Sequence, residues 1–261
     1  MKQPQTPEGK IIADLHTHPA DYLDKDETLE ALCSPGLVGL THMNGNPRVL
    51  IYEKVLKGYS NAVKEIDRNQ LAQIKNGNNI GYIARTQEID CGLHHILAVG
   101  FEGDYLPDYK DARKAVEEIH KKQGIAILNH PSVTPQPKFV KYRYITSEEE
   151  IKVEELCEMI DEIEVFNAQS INPTLGIYVP NMKKSNDQAK KVASKYKFTG
   201  TAASDTHRAL EQLKIAGIYI PKENLSIERI KDDVPSGNFE AYEQYVSRWS
   251  FLRGMFFLKS K

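Results

Sequence analysis

From Ile11 onward the chain alternates short, β-rich apolar runs with longer charged, amphipathic stretches, and that alternation restricts it to folds built around a mostly parallel sheet. The apolar runs are Ile11 to Leu15, Leu37 to Thr41, Ile80 to Ile89, His95 to Phe101, Gly124 to Leu128, Glu162 to Phe166, Phe198 to Ala203 and Ile215 to Ile220. Between them lie Asn61 to Lys75, Asp108 to Lys122, Ile151 to Ile160 and Asp187 to Lys197, each long enough for several helical turns. With 261 residues, 40% of them hydrophobic, the chain can bury a substantial core, and no linker or low-complexity tract divides it. Residues 1–261 therefore read as one domain, with 221–261 as a helical extension packed on it. The tail from Phe239 to Lys261, including Trp249, Phe251, Phe256 and Phe257, is expected to form a terminal helix against the domain or a second copy of the chain.

Composition narrows the function classes. Thirty-four basic and 36 acidic side chains leave a formal charge of -2, so nothing pulls the whole chain toward nucleic acid or an anionic membrane, and no stable nucleic-acid partner is expected. The polar start from Met1 to Lys10 lacks the apolar core of a signal peptide, and no segment has the length of a membrane span, which reads as cytoplasmic. Cys33, Cys91 and Cys157 are too widely spaced for a zinc knuckle and read as small buried residues.

The histidines choose between an open and a closed sheet. Of eight in the chain, His16, His18, His42, His130 and His207 follow apolar runs directly. In a β/α barrel the C-terminal strand ends converge on one catalytic face, whereas in an open sheet they would be strung along a line. A single convergent cluster favours the barrel.

Within Asp14-Leu15-His16-Thr17-His18, strand alternation lets Asp14, His16 and His18 share a face. Asn129-His130-Pro131 closes another run, its proline stopping the strand where the imidazole emerges. Ser204-Asp205-Thr206-His207 sets a carboxylate and an imidazole two residues apart, although Ser204 or Asp205 could instead cap a helix. Glu88, near the end of a long run, could bridge two cations or be a solvated glutamate. His94 and His95 point to opposite faces, so one at most meets the others. His120, in a lysine-rich helix, reads as solvated. Nitrogen and oxygen ligands without cysteine suit zinc, manganese or iron, and such a cluster polarises a phosphoryl oxygen and activates water.

With these motifs assembled, the chain resembles the PHP family, named for polymerase and histidinol phosphatase domains, over about Ile11 to Ile220. Asp14-Leu15-His16-Thr17-His18 is similar to its first motif, Glu88 and His95 to its third, Asn129-His130-Pro131 to the following one and Ser204-Asp205-Thr206-His207 to its last. The resemblance implies a distorted seven-stranded β/α barrel and two or three divalent ions, zinc, manganese or iron. It implies His16, His18, Glu88, His95, His130, Asp205 and His207 as ligands, with Asp14, Asn129 and Asn167 orienting them. Where the family's second motif usually reads Thr-Asp-His, this chain has Thr41-His42-Met43. The turn Asn44-Gly45-Asn46-Pro47 can re-aim His42, which is therefore expected to bind a peripheral metal. A further ligand that many members supply just after the first motif has no clear match here, Asp21, Asp24 and Asp26 all being candidates.

The expected function is hydrolysis of a small phosphorylated metabolite or nucleotide through metal-bound hydroxide, with His16, His18, His130, Asp205 and His207 as the catalytic set. A non-catalytic metal-binding module is the alternative. An amidohydrolase-type enzyme ranks lower because no lysine stands at a suitable strand end. For the substrate's phosphate the candidates are Arg48, Lys138, Lys141, Arg143 and Arg208. Ser132 to Glu150, which carries Lys138, Lys141 and Arg143, is either a phosphate-binding segment or a solvated loop.

Overall fold

The computed structural model describes residues 6–135, 142–169, 183–207 and 209–247. In chain order the elements are β1 (Lys10–Thr17), α1 (Lys25–Cys33), β2 (Leu37–Met43), α2 (Tyr52–Gly58), β3 (Val63–Asp67), β4 (Leu71–Asn76), β5 (Asn79–Asp90), β6 (His95–Val99), α3 (Ala112–Lys121), β7 (Ile125–Asn129), β8 (Val133–Pro135), β9 (Tyr142–Tyr144), α4 (Ser147–Leu156), β10 (Glu162–Asn167), α5 (Lys183–Tyr196), β11 (Thr201–Ala203), β12 (Gly217–Pro221), α6 (Ile227–Asp233) and β13 (Glu240–Tyr242).

The main sheet runs β11-β10-β7-β6-β5-β2-β1-β12-β13, and the β3-β4 hairpin adds to β5. It curls until its ends nearly meet. His18 N donates to Thr206 O at 2.7 Å and Asp205 N to His16 O at 3.0 Å, tying the end of β1 to the segment after β11. Strand alternation then sorts the core. Ile11, Ala13, Leu37, Ala84, Leu97, Val99, Ile125, Ile127, Ile218 and Ile220 pack together in the interior, where Ile227 and Ile230 of α6 join them. The intervening residues of β6, β7 and β10, among them Ile96, Ala126, Leu128, Ile163 and Val165, pack outward against α3, α4 and α5. On the other side Val38, Leu40 and Ile83 meet α1 and α2.

The barrel fulfils the sequence expectation in type, with differences in detail. The path carries nine strands rather than seven. The sheet is also mixed: β6 runs antiparallel to both β5 and β7, and β12 antiparallel to β1. A tight turn at residues 91–94, with Gly92 at φ 75°, joins β5 to β6 where a helical crossover would be needed for a parallel pair. Asn61 to Lys75, expected as a helix, is instead the β3-β4 hairpin. Asn69 at φ 59° makes its turn, and Asn76-Gly77, with Gly77 also at φ 59°, turns β4 into β5. The C-terminal region contains α6 and then β13 paired with β12, so Glu240–Tyr242 is a strand and not part of a terminal helix. Trp249, Phe251, Phe256 and Phe257 lie outside the described residues. Cys33, Cys91 and Cys157 are buried free thiols. No helix among the described residues is long and apolar enough to cross a membrane.

Candidate metal centre

One end of the barrel gathers seven side chains from five strand ends. His16 and His18 come from β1 and its extension, Glu88 from β5, His95 from the first position of β6, His130 from just after β7, and Asp205 and His207 from beyond β11. Because β6 runs backwards, its first residue lies at the same edge as the last residues of its neighbours. His95 thus reaches the cluster.

A local irregularity aims the first two histidines. Between Asp14 and Thr17 the register of β1 against β2 shifts, two steps on β2 answering three on β1. The extra residue reverses the face alternation. Asp14 consequently leaves the cluster it was expected to share with His16 and His18, and accepts from Ser204 N and Lys214 N, each at 2.9 Å. Burial raises its pKa to about 7. Gly39 permits the bulge, since a Cβ there would lie 2.2 Å from Leu15 O.

Two further ligand candidates sit in backbone conformations that L side chains rarely adopt, His130 at φ 27° and Asp205 at φ 46°. Each such residue costs on the order of 1–3 kcal/mol unless its surroundings hold it, and such strain gathers at functional sites. Here a proline after His130 and the two main-chain bonds around Asp205 hold the chain in place.

The centre is close-set and mostly buried. Glu88 Oε1 lies 2.9 Å from His95 Nδ1 and 3.3 Å from both His130 Nε2 and His16 Nε2, while Oε2 lies 3.2 Å from His18 Nε2. His16 Nε2 and His18 Nε2 stand 3.1 Å apart. Asp205 Oδ1 is 3.5 Å from His16 Nε2 and 3.2 Å from His207 Nε2, whose ring stacks on His18 with centroids 4.9 Å apart. The side chains of His16, His18 and Glu88 are at most 4% exposed, whereas Asp205 is 14% and His207 47% exposed, so the centre opens on the Asp205-His207 side.

The ring protons can be assigned from the partners. His18 Nδ1 lies 3.2 Å from Thr41 O, a carbonyl that can only accept, and His16 Nδ1 donates to Glu164 Oε2 at 2.8 Å. Neutral His16 and His18 therefore turn bare Nε2 lone pairs toward each other and toward Glu88, a carboxylate that also only accepts. Such an arrangement needs positive charge between its members. Protons supply some of it: burial disfavours charging His16, yet Asp205, Glu88 and Glu164 hold its pKa well above the ordinary histidine value. His95 is raised too, Glu88 outweighing its burial, while burial lowers His18. Glu88 and Asp205 stay ionised despite burial, because His95 and His16 act on the first and His16 and His207 on the second. Four groups of three residues place ligand atoms within 4.8 Å of one another: His16-His18-Glu88, Glu88-His95-His130, His16-His130-Asp205 and His18-Asp205-His207. The donor set fits divalent cations.

His42 does not join them. β2 pairs with β5 so that His42 faces Gln87 and Met43 faces Glu88. Cross-strand partners share a face, which puts Met43 on the Glu88 side and His42 on the other. Its ring stacks on Tyr105 at 4.1 Å and its Nε2 bonds Asn44 Oδ1 at 3.1 Å, so the turn does not re-aim it. Asp21 pairs with Lys54 at 2.6 Å and Asp24 caps α1, which leaves neither in the cluster. Arg143, expected at substrate, holds both oxygens of Glu149 and the carbonyl of Tyr144. Arg48 is exposed in the loop between β2 and α2, where its carbonyl accepts from Asp21 N. Lys138, Lys141 and Arg208 lie outside the described residues. His120 is exposed and pairs with Asp161. His94 is buried beside His95 with neither ring nitrogen bonded.

Asn129 and Asn167 sit where ligand-orienting residues were expected, Asn129 Nδ2 at 3.3 Å from Glu88 Oε1 and Asn167 Nδ2 at 3.0 Å from Asp205 Oδ2. Glu164 was missed. Its only signal was a second carboxylate inside the strand-like run Glu162-Ile163-Glu164-Val165-Phe166.

No protein-family model matches the chain, and no curated protein matches it. Solved structures do. A two-domain protein from Bacteroides vulgatus containing a predicted PHP-like metal-dependent phosphoesterase aligns at TM-score 0.53 and 16% identity, over 94% of this chain and 68% of that one. A lesion-specific endonuclease from Pyrococcus furiosus aligns at 0.52 and 15%, over 89% of this chain and 57% of that one. PsfC from Pseudomonas syringae aligns at 0.55 and 12%, over 97% and 99% of the two chains. At these identities the likeness is one of fold, and it is the barrel fold of PHP-like proteins.

Proposed function

We propose that the chain, a barrel of the PHP type, is a metal-dependent phosphoesterase centred on His16, His18, Glu88, His95, His130, Asp205 and His207. The observation that carries this reading is the convergence of imidazole lone pairs on two ionised carboxylates in a largely buried pocket. Bound divalent ions supply the missing positive charge, polarise a phosphoryl oxygen and activate water near neutral pH. Nitrogen and oxygen donors without sulfur favour zinc, manganese or iron.

Glu88, with nitrogens against both oxygens, would bridge two ions. His16 and His18 lie on one side of it, and His95 and His130 on the other. β2 presents Thr41 and Met43 to this face and no hard ligand, which favours two ions over three. The phosphoryl group would enter on the open side. There Asp205 and the His207 imidazole, 3.2 Å apart, would hold an ion at the mouth of the pocket. Buried His16 and His18 exclude water from the far side and keep the carboxylates fixed.

A small phosphorylated metabolite or nucleotide remains the expected substrate. Because the Pyrococcus neighbour is an endonuclease, phosphodiesters belong in the test. Metal-depleted protein resupplied with manganese or zinc should hydrolyse some member of a panel of phosphomonoesters, a simple aryl phosphodiester and a short lesion-bearing duplex. Glu88→Gln should lose at least about a hundredfold in rate, the upper end of what residues behind the ligands cost. Protein that binds the ions and turns over nothing in the panel would leave the non-catalytic module standing, and protein that binds no ion would overturn both.

A further inference from the structure

β10 contributes no ligand candidate, yet it holds two of them. Glu164 is 2% exposed and uses both carboxylate oxygens: Oε2 accepts from His16 Nδ1 at 2.8 Å, and Oε1 accepts from Asn167 Nδ2 at 2.9 Å. The same Asn167 amide donates to Asp205 Oδ2 at 3.0 Å. Glu164 and Asn167 are three apart, and regular alternation would send them to opposite faces. The register of β10 against β11 shifts between Glu164 and Phe166, which restores them to one side. Asn167 is fixed in turn from α5, where Asn186 accepts from Asn167 N and donates to Asn167 O, each at 3.2 Å.

We infer that Glu164 is a positioning residue that, with Asn167, clamps His16 and Asp205 from behind and keeps His16 Nε2 free to bind a cation. The inference rests on the metal-centre reading above. A His16 ring without this acceptor can rotate or place its proton on Nε2, and either change removes a ligand. Two ligands on different strands, β1 and the segment after β11, are thereby held to a common reference in β10.

Glu164→Gln tests this because the two oxygens have two separate donors. Glutamine offers one oxygen and one NH2 group. Turned one way, its NH2 meets the Asn167 NH2 and that bond is lost; turned the other way, it meets His16 Nδ1 and drives the ring proton to Nε2. Affinity for zinc, measured by competition with a chromophoric chelator, should fall tenfold to a hundredfold, the range on the order of that seen when an outer partner of a ligand histidine is removed. In protein labelled with 15N-histidine, the far-downfield Nδ1 proton of His16 should move or vanish. A change in packing alone would not alter it selectively. Asn167→Ser serves as the second variant: it should weaken zinc binding through Asp205 and leave the His16 proton in place. Unchanged affinity together with an unchanged His16 proton in Glu164→Gln would overturn the inference. Should the wild type bind no zinc, the metal reading fails first, and the His16 proton still decides whether Glu164 governs that ring.

Discussion

Replacing Gly39 with alanine should damage the metal centre from a strand that supplies no ligand to it. The new Cβ would lie 2.2 Å from Leu15 O, 2.6 Å from Leu15 C and 2.8 Å from Leu15 Cα, and all three are main-chain atoms of the bulge that aims His16 and His18. No side chain can swing aside to relieve this. The strands must part by about 1 Å to reach ordinary van der Waals separation, and overpacking of this kind costs about 1–3 kcal/mol. Metal-ligand distances hold to about 0.2 Å, so a shift of that size at His16 should also lower zinc affinity by at least about tenfold. Urea unfolding of the metal-free protein would measure the first effect and chelator competition the second. Gly58→Ala is the control, because nothing lies within 4 Å of a Cβ there and its φ is ordinary. It should be neutral or stabilising by up to about 1 kcal/mol. A Gly39→Ala protein with wild-type urea midpoint and zinc affinity would refute the argument that the bulge depends on the missing side chain.

His42→Ala should leave the metal content per chain unchanged and cost about 0.5–1.5 kcal/mol for the lost stack on Tyr105, measured by metal analysis and thermal unfolding. Through the histidines of its centre, the metal-free protein should lose stability as pH rises above 6.5. His16 and His95 have raised pKa values in the folded state, so their contribution is present below 6.5 and lost as pH rises through the folded values. Lowered His18 works in the opposite sense below 6.5, and Glu88 and Asp205, both depressed, lose theirs as pH falls through their folded values. Added zinc should displace the imidazolium protons and abolish the decline above 6.5, and a profile that zinc leaves unchanged would count against a cation at His16. Arg143→Ala should leave KM unaltered and release Glu149, whose pKa its guanidinium holds at about 2, to titrate nearer the ordinary carboxylate range by NMR.

What the sequence disclosed was set by how local its signals are. Apolar runs marked nearly every barrel strand, and histidines and an aspartate clustered at run ends marked the shared edge. Face and direction were harder, since both depend on the partner strand. His42 was misassigned because its face follows from the pairing of β2 with β5, and the Tyr105 ring that covers it comes from a segment sixty residues away. The shared face of Asp14 with His16 and His18 was misread because the β1 bulge has no signature of its own apart from Gly39 on the neighbouring strand. Asn61 to Lys75 carried charges spaced as on a helix, and its turn residues Asn69 and Asn76-Gly77 were the better guide. Glu164 was invisible because its role lies behind the ligands.

The backward strand β6 also limits how this protein can diversify. In a regular barrel every strand end at the working face opens into a loop that can lengthen freely, and substrate range changes by grafting there. Here the sector between β5 and β6 is a tight turn, with Glu88 and His95 on the two arms of one hairpin, joined by a 2.9 Å bond between their side chains. An insertion in that turn would pull apart the two residues that the centre most needs together. Retargeting the protein by loop exchange should therefore succeed only in the segments after β1, β2, β7, β10 and β11.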